Sequence, residues 1–362
     1  MLASIPLWLS WNFEPVVVLA LVAPVVAYFY ALGPLRRRYF PKEQVDRRKV
    51  GFFVVGMALL AVALLSPLET VAMSYLLTAH MLQHMFLSVI CPPLILLGLP
   101  GWMIAPLFRG PVARRVIRAL THPVVAFGLY NLNMWVWHLP PLFDSSSNVV
   151  AVGVNQMVDN AVIVGALLFL ALWVAPRLGG PARAKRGAQA VSLVSAALIL
   201  GIVIMTALGA LSVPTWGGVF QAHNPLHTLM TAMFFGTAML YWMPILSPIP
   251  EIAPRLAPTA GMLYMFLSTQ PMMALGALLT FASNPLYARY AGAPLILGFT
   301  RLGDQQFAGL TMWLPMDIPL IITISILFFK WIERQDYEER LAAGEFDEFY
   351  PAPPLVPTSK PE

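Results

Sequence analysis

Cysteine is almost missing from this chain: its 362 residues include one, Cys91. Intramolecular disulfides are excluded, and so is any CxxC thiolate site. Charge is scarce as well, at 11% of residues, too little to solvate the surface of a soluble protein of this length. No basic stretch and no small-residue cleavage site separates Met1 to Phe13 from the apolar run behind it, so the first apolar segment is expected to stay with the chain. Internal repeats are not visible, and neither are the inverted halves of a transporter. Histidine occurs only six times.

What fills the chain is hydrocarbon. Hydrophobic residues make up 59% of it and the mean hydropathy is +0.73, values of a protein whose solvent is lipid. A helix needs about 20 apolar residues to cross the roughly 30 Å bilayer core. Such stretches recur at 14–35, 50–66, 70–98, 121–139, 150–175, 188–212, 225–247, 257–283 and 306–331. The expected fold is therefore all-α, a polytopic membrane helix bundle of about nine transmembrane helices. One transmembrane domain, 1–335, precedes a tail, 336–362, that is first charged and then Pro-rich.

Basic residues orient the spans. Arg36, Arg37, Arg38, Lys42, Arg47, Arg48 and Lys49 fill the first loop. Arg109, Arg114, Arg115 and Arg118 lie in the third, and Arg177, Arg183, Lys185 and Arg186 in the fifth. The second, fourth and sixth loops contain no Lys or Arg. By the positive-inside rule the odd loops are cytoplasmic, the N-terminus is outside and the C-terminus is inside. The seventh loop is neutral, and the eighth, with Arg289 and Arg301, weakly dissents. The net charge of +5 describes a cytoplasmic collar facing anionic lipid and gives no nucleic-acid reading.

His80 and His84 lie inside the third apolar stretch, in Thr78-Ala79-His80-Met81-Leu82-Gln83-His84-Met85. At i,i+4 both imidazoles project from one helix face, about 6 Å apart, close enough to share a metal ion. Met73, His80, His84 and Cys91 are expected on one stripe, within about 40° of each other. Imidazole with thioether suits copper, the thioether selecting soft Cu(I). Asn224-Pro225 reads as an N-cap with Pro at N1, which puts His227 in the first turn of the seventh span and Met230 one turn below. Asp159 and Asp317 are carboxylates at membrane depth, where a cation, a proton or a polar partner is needed. Asp304 is a natural N-cap for the last helix, with Gln305 and Gln306 beside it.

Each of these has a plainer reading. Membrane histidines often serve as interhelical hydrogen-bond partners. His138 and His223, near the interface, read as polar anchors, and His122, before Pro123 in a basic loop, as structural. Most of the 19 methionines fill gaps in the core. Cys91, before Pro92-Pro93, reads as a small buried hydrophobe. Glu69 and Asp144 are assigned to short acidic loops outside.

The run His80-Met81-Leu82-Gln83-His84, with Cys91-Pro92-Pro93-Leu94 and Gly98-Leu99-Pro100, resembles the signature of the multi-spanning CtaG family of cytochrome c oxidase assembly factors. The resemblance continues through Ser66-Pro67-Leu68, His138-Leu139-Pro140, His223 to Trp242, Asp304-Gln305-Gln306-Phe307-Ala308-Gly309-Leu310, Met312-Trp313, and a tail from Trp331 with Asp336, Glu338, Glu339 and Arg340. It implies a non-catalytic factor of the bacterial cytoplasmic membrane that helps copper reach the CuB centre of a haem-copper oxidase. The implied partners are the oxidase catalytic subunit, the lipid bilayer and a copper donor protein. Family members often carry a His-x-x-Glu-His pattern at the head of the fifth span, where this chain reads Gln156-Met157-Val158-Asp159-Asn160. The acid survives and both histidines are amides, which are poor ligands for soft copper. The expected metal-binding set is His80, His84, His227, Asp159, Asp304 and Asp317. A copper transporter and a haem-binding membrane redox protein, with one of the paired histidines and His227 as axial ligands, stand as the alternatives.

Overall fold

The computed structural model describes residues 11, 15–145 and 225–343, and among them every regular element is helical. In chain order these are α1 (Pro15–Tyr30), α2 (Arg47–Leu65), α3 (Pro67–Ser74), α4 (Leu77–Met85), α5 (Cys91–Gly98), α6 (Pro111–Leu120), α7 (Pro123–Trp137), α8 (Pro140–Ser145), α9 (Pro225–Leu246), α10 (Pro258–Thr280) and α11 (Arg301–Ala343), with shorter turns between. Among the described residues six helical runs are long and apolar enough to cross a bilayer: Val16–Tyr39, Arg47–Leu65, Leu77–Gly98, Leu226–Leu246, Pro258–Thr280 and Arg301–Arg340. Nine spans are not confirmed. The expected fourth span is the 15-residue α7, about 22 Å long by helix rise, and the expected fifth and sixth fall outside the described residues together with Asp159.

Proline and serine place the breaks. Ser66 caps α3 by accepting from the Leu68 N–H at 3.2 Å, with Pro67 at the first helical position, so the segment from 70 to 98 is not one helix. Tyr75 and Leu76 leave helical geometry, and α4 starts afresh at Leu77. Below His84 the helix widens into a π-helical turn, Phe86–Ile90. Pro92 has no N–H to return to the Ser88 carbonyl and its ring crowds that turn. The Trp242 indole N–H donates to that carbonyl instead, at 2.9 Å.

These two irregularities correct the expected stripe. Met73 belongs to α3, before the break, where the Arg289 guanidinium donates to its carbonyl at 3.0 Å and 2.5 Å and meets its sulfur at 3.1 Å. Cys91, beyond the π-helical turn, packs with Leu21, Tyr28 and Phe53 of α1 and α2. Only His80 and His84 share the face.

Two large apolar clusters, with a small third at Ala72, Leu76 and Ala79, hold the described part of the bundle. The larger joins α4, α7, α9, α10 and α11 through residues such as Met81, Met134, Phe234, Trp242, Met272 and Met312. The other large one joins α1, α2 and α5. Close approach depends on glycine: a Cβ on Gly98 would lie 2.5 Å from the Phe53 backbone nitrogen, and one on Gly276 3.0 Å from the Gly309 carbonyl oxygen. The outer faces are apolar too, with Leu263, Phe266, Leu278, Ile318, Ile321 and Phe329 all more than half exposed, as lipid requires and water penalises.

Asp304 on Leu77 and Glu69 beside His227 gather the starts of α4, α9 and α11 at one end, while Arg36–Arg38, Arg47, Arg48 and the α6 arginines lie at the opposite ends of their helices, with Arg118 reaching the Ile252 carbonyl beyond α9. We call these the histidine end and the basic end. α11 runs 43 residues, about 65 Å, and stays helical past the expected boundary at 335. Its terminal turns carry the i,i+4 pairs Arg334–Glu338 at 2.7 Å and Arg340–Asp336 at 3.1 Å.

Candidate functional site: a nest of imidazoles

At the histidine end, four imidazoles from three helices meet in the interior. His80 and His84 are fully buried on α4, with ring centroids 4.4 Å apart and Nε2 to Nε2 at 2.6 Å. That contact requires one ring to donate its Nε2–H and the other to accept on a lone pair, so the two carry different tautomers. The Nδ1 atom of each has no hydrogen-bond partner among the described residues.

His227, on α9, lies with its ring centroid 6.2 Å from that of His80, and Asn224, the expected cap, falls outside the described residues. On the other side His138, at the C-terminal end of α7, lies 5.5 Å from His84. The His138 Nδ1–H donates to the Met134 carbonyl at 2.7 Å, and its Nε2 comes 3.4 Å from the Met81 sulfur. Burial of His138, 3% exposed, corrects its reading as an interfacial anchor. The rings are walled by Phe143, edge-on to His80 at 5.0 Å, and by Phe234, edge-on to His84 at 4.0 Å.

One carboxylate joins them. Glu69, read from sequence as a loop acid, is 3% exposed on α3, with Oε1 3.9 Å from His227 Nδ1. The Gln83 amide donates to its Oε2 and also to the Ala63 carbonyl, the latter at 2.9 Å. The middle of the His-Met-Leu-Gln-His block is thereby explained: on α4 two residues face the nest and Gln83 reaches from the same helix to Glu69. Two signals in the sequence point to Glu69 and His138. An acid follows a Ser-Pro helix start in an otherwise apolar run, and a histidine ends a helix just before Leu-Pro.

A cap closes the histidine end. Asp144 accepts from the backbone N–H of Ala288 at 3.3 Å and of Arg289 at 3.0 Å, tying α8 to the loop before α11. Phe143 of α8 packs on Tyr287 at 4.3 Å. Tyr287 donates to the His138 carbonyl at 2.9 Å and Tyr290 to the Ala72 carbonyl at 2.7 Å. Burial pulls the Arg289 guanidinium down from its ordinary value, with Tyr290, Glu69 and Asp144 acting in the opposite sense. Beside this cap is a cavity of about 190 Å³ bounded by Leu77, Tyr287, Tyr290, Arg301 and Asp304.

Of the remaining expected site residues, Asp304 and Asp317 are placed elsewhere on α11. Asp304 caps α4 across the interface: its carboxylate accepts from the N–H groups of Leu77 at 2.7 Å and Thr78 at 3.1 Å and from the Thr78 hydroxyl at 2.7 Å. It sits in the first turn of its own helix and caps a neighbour's, which corrects the expected N-cap of the last helix. Asp317 is 13 residues further along α11, about 20 Å by rise, and its Oδ1 has no hydrogen-bond partner among the described residues. Asp159 lies outside the described residues. Among the described residues no three His, Cys, Asp or Glu side chains are arranged to hold a metal ion as they stand.

A bundle with apolar outer faces and a polar nest sealed inside one end is a membrane protein built around a buried imidazole site. The chain belongs to the cytochrome c oxidase caa3 assembly factor family (Caa3_CtaG), whose model matches residues 26–216 and 160–334. No curated protein and no solved structure matches it.

Proposed function

We propose that this chain carries Cu(I) on its way to the CuB centre of a haem-copper oxidase, holding it weakly at His80 and His84 with His227 alongside, and that it performs no catalysis of its own. The observation that supports this best is the sealed line of four neutral-capable imidazoles with the Met81 sulfur at one end. These are soft and borderline donors for soft Cu(I), and among the described residues of the nest none resembles a nucleophile with its base. The pair must part before an ion enters, because two metal–imidazole bonds of about 2.0 Å do not fit comfortably across a hydrogen-bonded Nε2 pair. That makes the site a weak one, as a donor that must release its cargo requires. The alternation of basic and histidine ends supports a bundle with its histidine end outside and its C-terminus in the cytoplasm, so that the ion would lie in the outer half of the bilayer and pass sideways to the oxidase catalytic subunit. A copper donor protein would load it from outside.

The test is copper in the client. Membranes from a His80→Ala/His84→Ala strain grown under copper limitation should contain haem-copper oxidase low in CuB, with partial recovery when copper is added. Full CuB occupancy in that strain defeats the proposal.

A further inference from the structure

Among the described residues only two carboxylates are buried, Glu69 and Asp304. Asp304 is fully engaged at the N-terminus of α4. Asp144 and Arg289 carry opposite charges on the cap, the guanidinium held by the Met73 carbonyl. Glu69 is the carboxylate that faces an imidazole, and three features fix it there: the capped start of α3, the Gln83 amide, and its place on a helix too short to shift without breaking that cap. Glu69 Oε1 lies 3.9 Å from His227 Nδ1, so the Nε2 edge of that ring is the one away from the acid. A carboxylate behind the distal nitrogen of a histidine is the arrangement that orients metal-binding imidazoles and raises their basicity. In a low-dielectric interior a single fixed negative charge also favours one added positive charge far more than it would in water.

We propose that Glu69 is a positioning residue of the copper site: it sets the orientation of His227 toward His80 and supplies the counter-charge that makes the nest accept one monovalent soft cation. This rests on the copper reading above and adds a residue and a charge rule to it. Neutral imidazoles coordinate an ion but leave its net charge uncompensated, which is costly in hydrocarbon. Glu69 brings one negative charge beside the imidazoles to set against the single positive charge of Cu(I), with Arg289 of the cap acting on the same carboxylate.

Silver(I) is a redox-inert probe for the site. Competition against a chelator of known affinity, on the full-length protein in detergent, should show Ag(I) binding weakened at least about tenfold in Glu69→Gln and restored to within about threefold of wild type in Glu69→Asp. The thermal midpoint of Glu69→Gln should stay near that of wild type, because the amide oxygen can still accept from Gln83. A second measurement needs no variant to fold: infrared difference spectra of wild-type protein carrying isotopically labelled glutamate should show a carboxylate band that moves on Ag(I) saturation. Glu69→Gln binding within about twofold of wild type, or a glutamate spectrum unmoved by silver, overturns the proposal. If wild-type protein binds neither Ag(I) nor Cu(I), the copper reading itself fails, a result distinct from loss of the Glu69 effect alone.

Discussion

At the scale of single residues, the bond between His80 and His84 makes the two histidines interdependent. Removing one leaves the other's Nε2 buried without its partner, a cost of about 1–3 kcal/mol in addition to the cavity. Removing both eliminates the pair and leaves no such orphan. Thermal unfolding in detergent should therefore find the double alanine variant less destabilised than the sum of the two single variants, by about 1 kcal/mol or more. Strict additivity would mean that the rings do not share a proton. His138 differs from this pair in having its Nδ1 held by the Met134 carbonyl at 2.7 Å, while His227 has the Glu69 carboxylate 3.9 Å from its Nδ1.

At the scale of elements, the nest depends on where α4 begins. A break at Tyr75 and Leu76 frees the first N–H groups of α4, and Asp304 of α11 takes two of them. Asp304→Ala should cost about 2 kcal/mol, near the upper range for a lost helix cap, and should loosen the turn that carries His80. Hydrogen exchange at 77–80 is the measurement, and unaltered protection would show that α4 holds its start without the cap. Where α5 crosses α2, the limit is steric. Gly98→Val would drive a branched side chain into the Phe53 backbone, an overpacking that costs about 1–3 kcal/mol. Lower abundance in membranes is expected, and expression at the wild-type level would contradict the close crossing.

At the scale of the whole molecule, the histidine end and the basic end must face opposite sides of the membrane. On a Cys91→Ala background, a cysteine at Val112, on the basic α6 and 70% exposed, should resist a membrane-impermeant thiol reagent in intact cells. A cysteine at Leu295, 64% exposed in the loop before α11, should react. The reverse pattern would place the nest on the cytoplasmic side and remove the depth match with an outward copper centre. The apolar outer faces of α10 and α11 fit lipid contact along most of their length, while the charged end of α11 extends past the hydrocarbon because the helix is about twice as long as the core is thick.

Composition and periodicity by themselves determined that the chain is helical and lives in lipid, because roughly 20-residue apolar runs have no other stable form there. The His-Met-Leu-Gln-His block likewise placed two imidazoles on one face, since i and i+4 are neighbours on any α-helix. That His227 lies on a helix was legible from the apolar run that follows it, while Asn224 of the Asn-Pro signal lies outside the described residues. Tertiary structure alone decided the rest. The break before Leu77 and the widening before Cys91 ended the long stripe, and only the packing of α11 on α4 turned Asp304 into a cap for another helix. The folding of α3 and α7 against α4 brought Glu69 and His138 into the nest from 11 and 58 residues away from His80. Local periodicity carries no information about such contacts, because it fixes which face a side chain occupies and leaves open which neighbour that face meets.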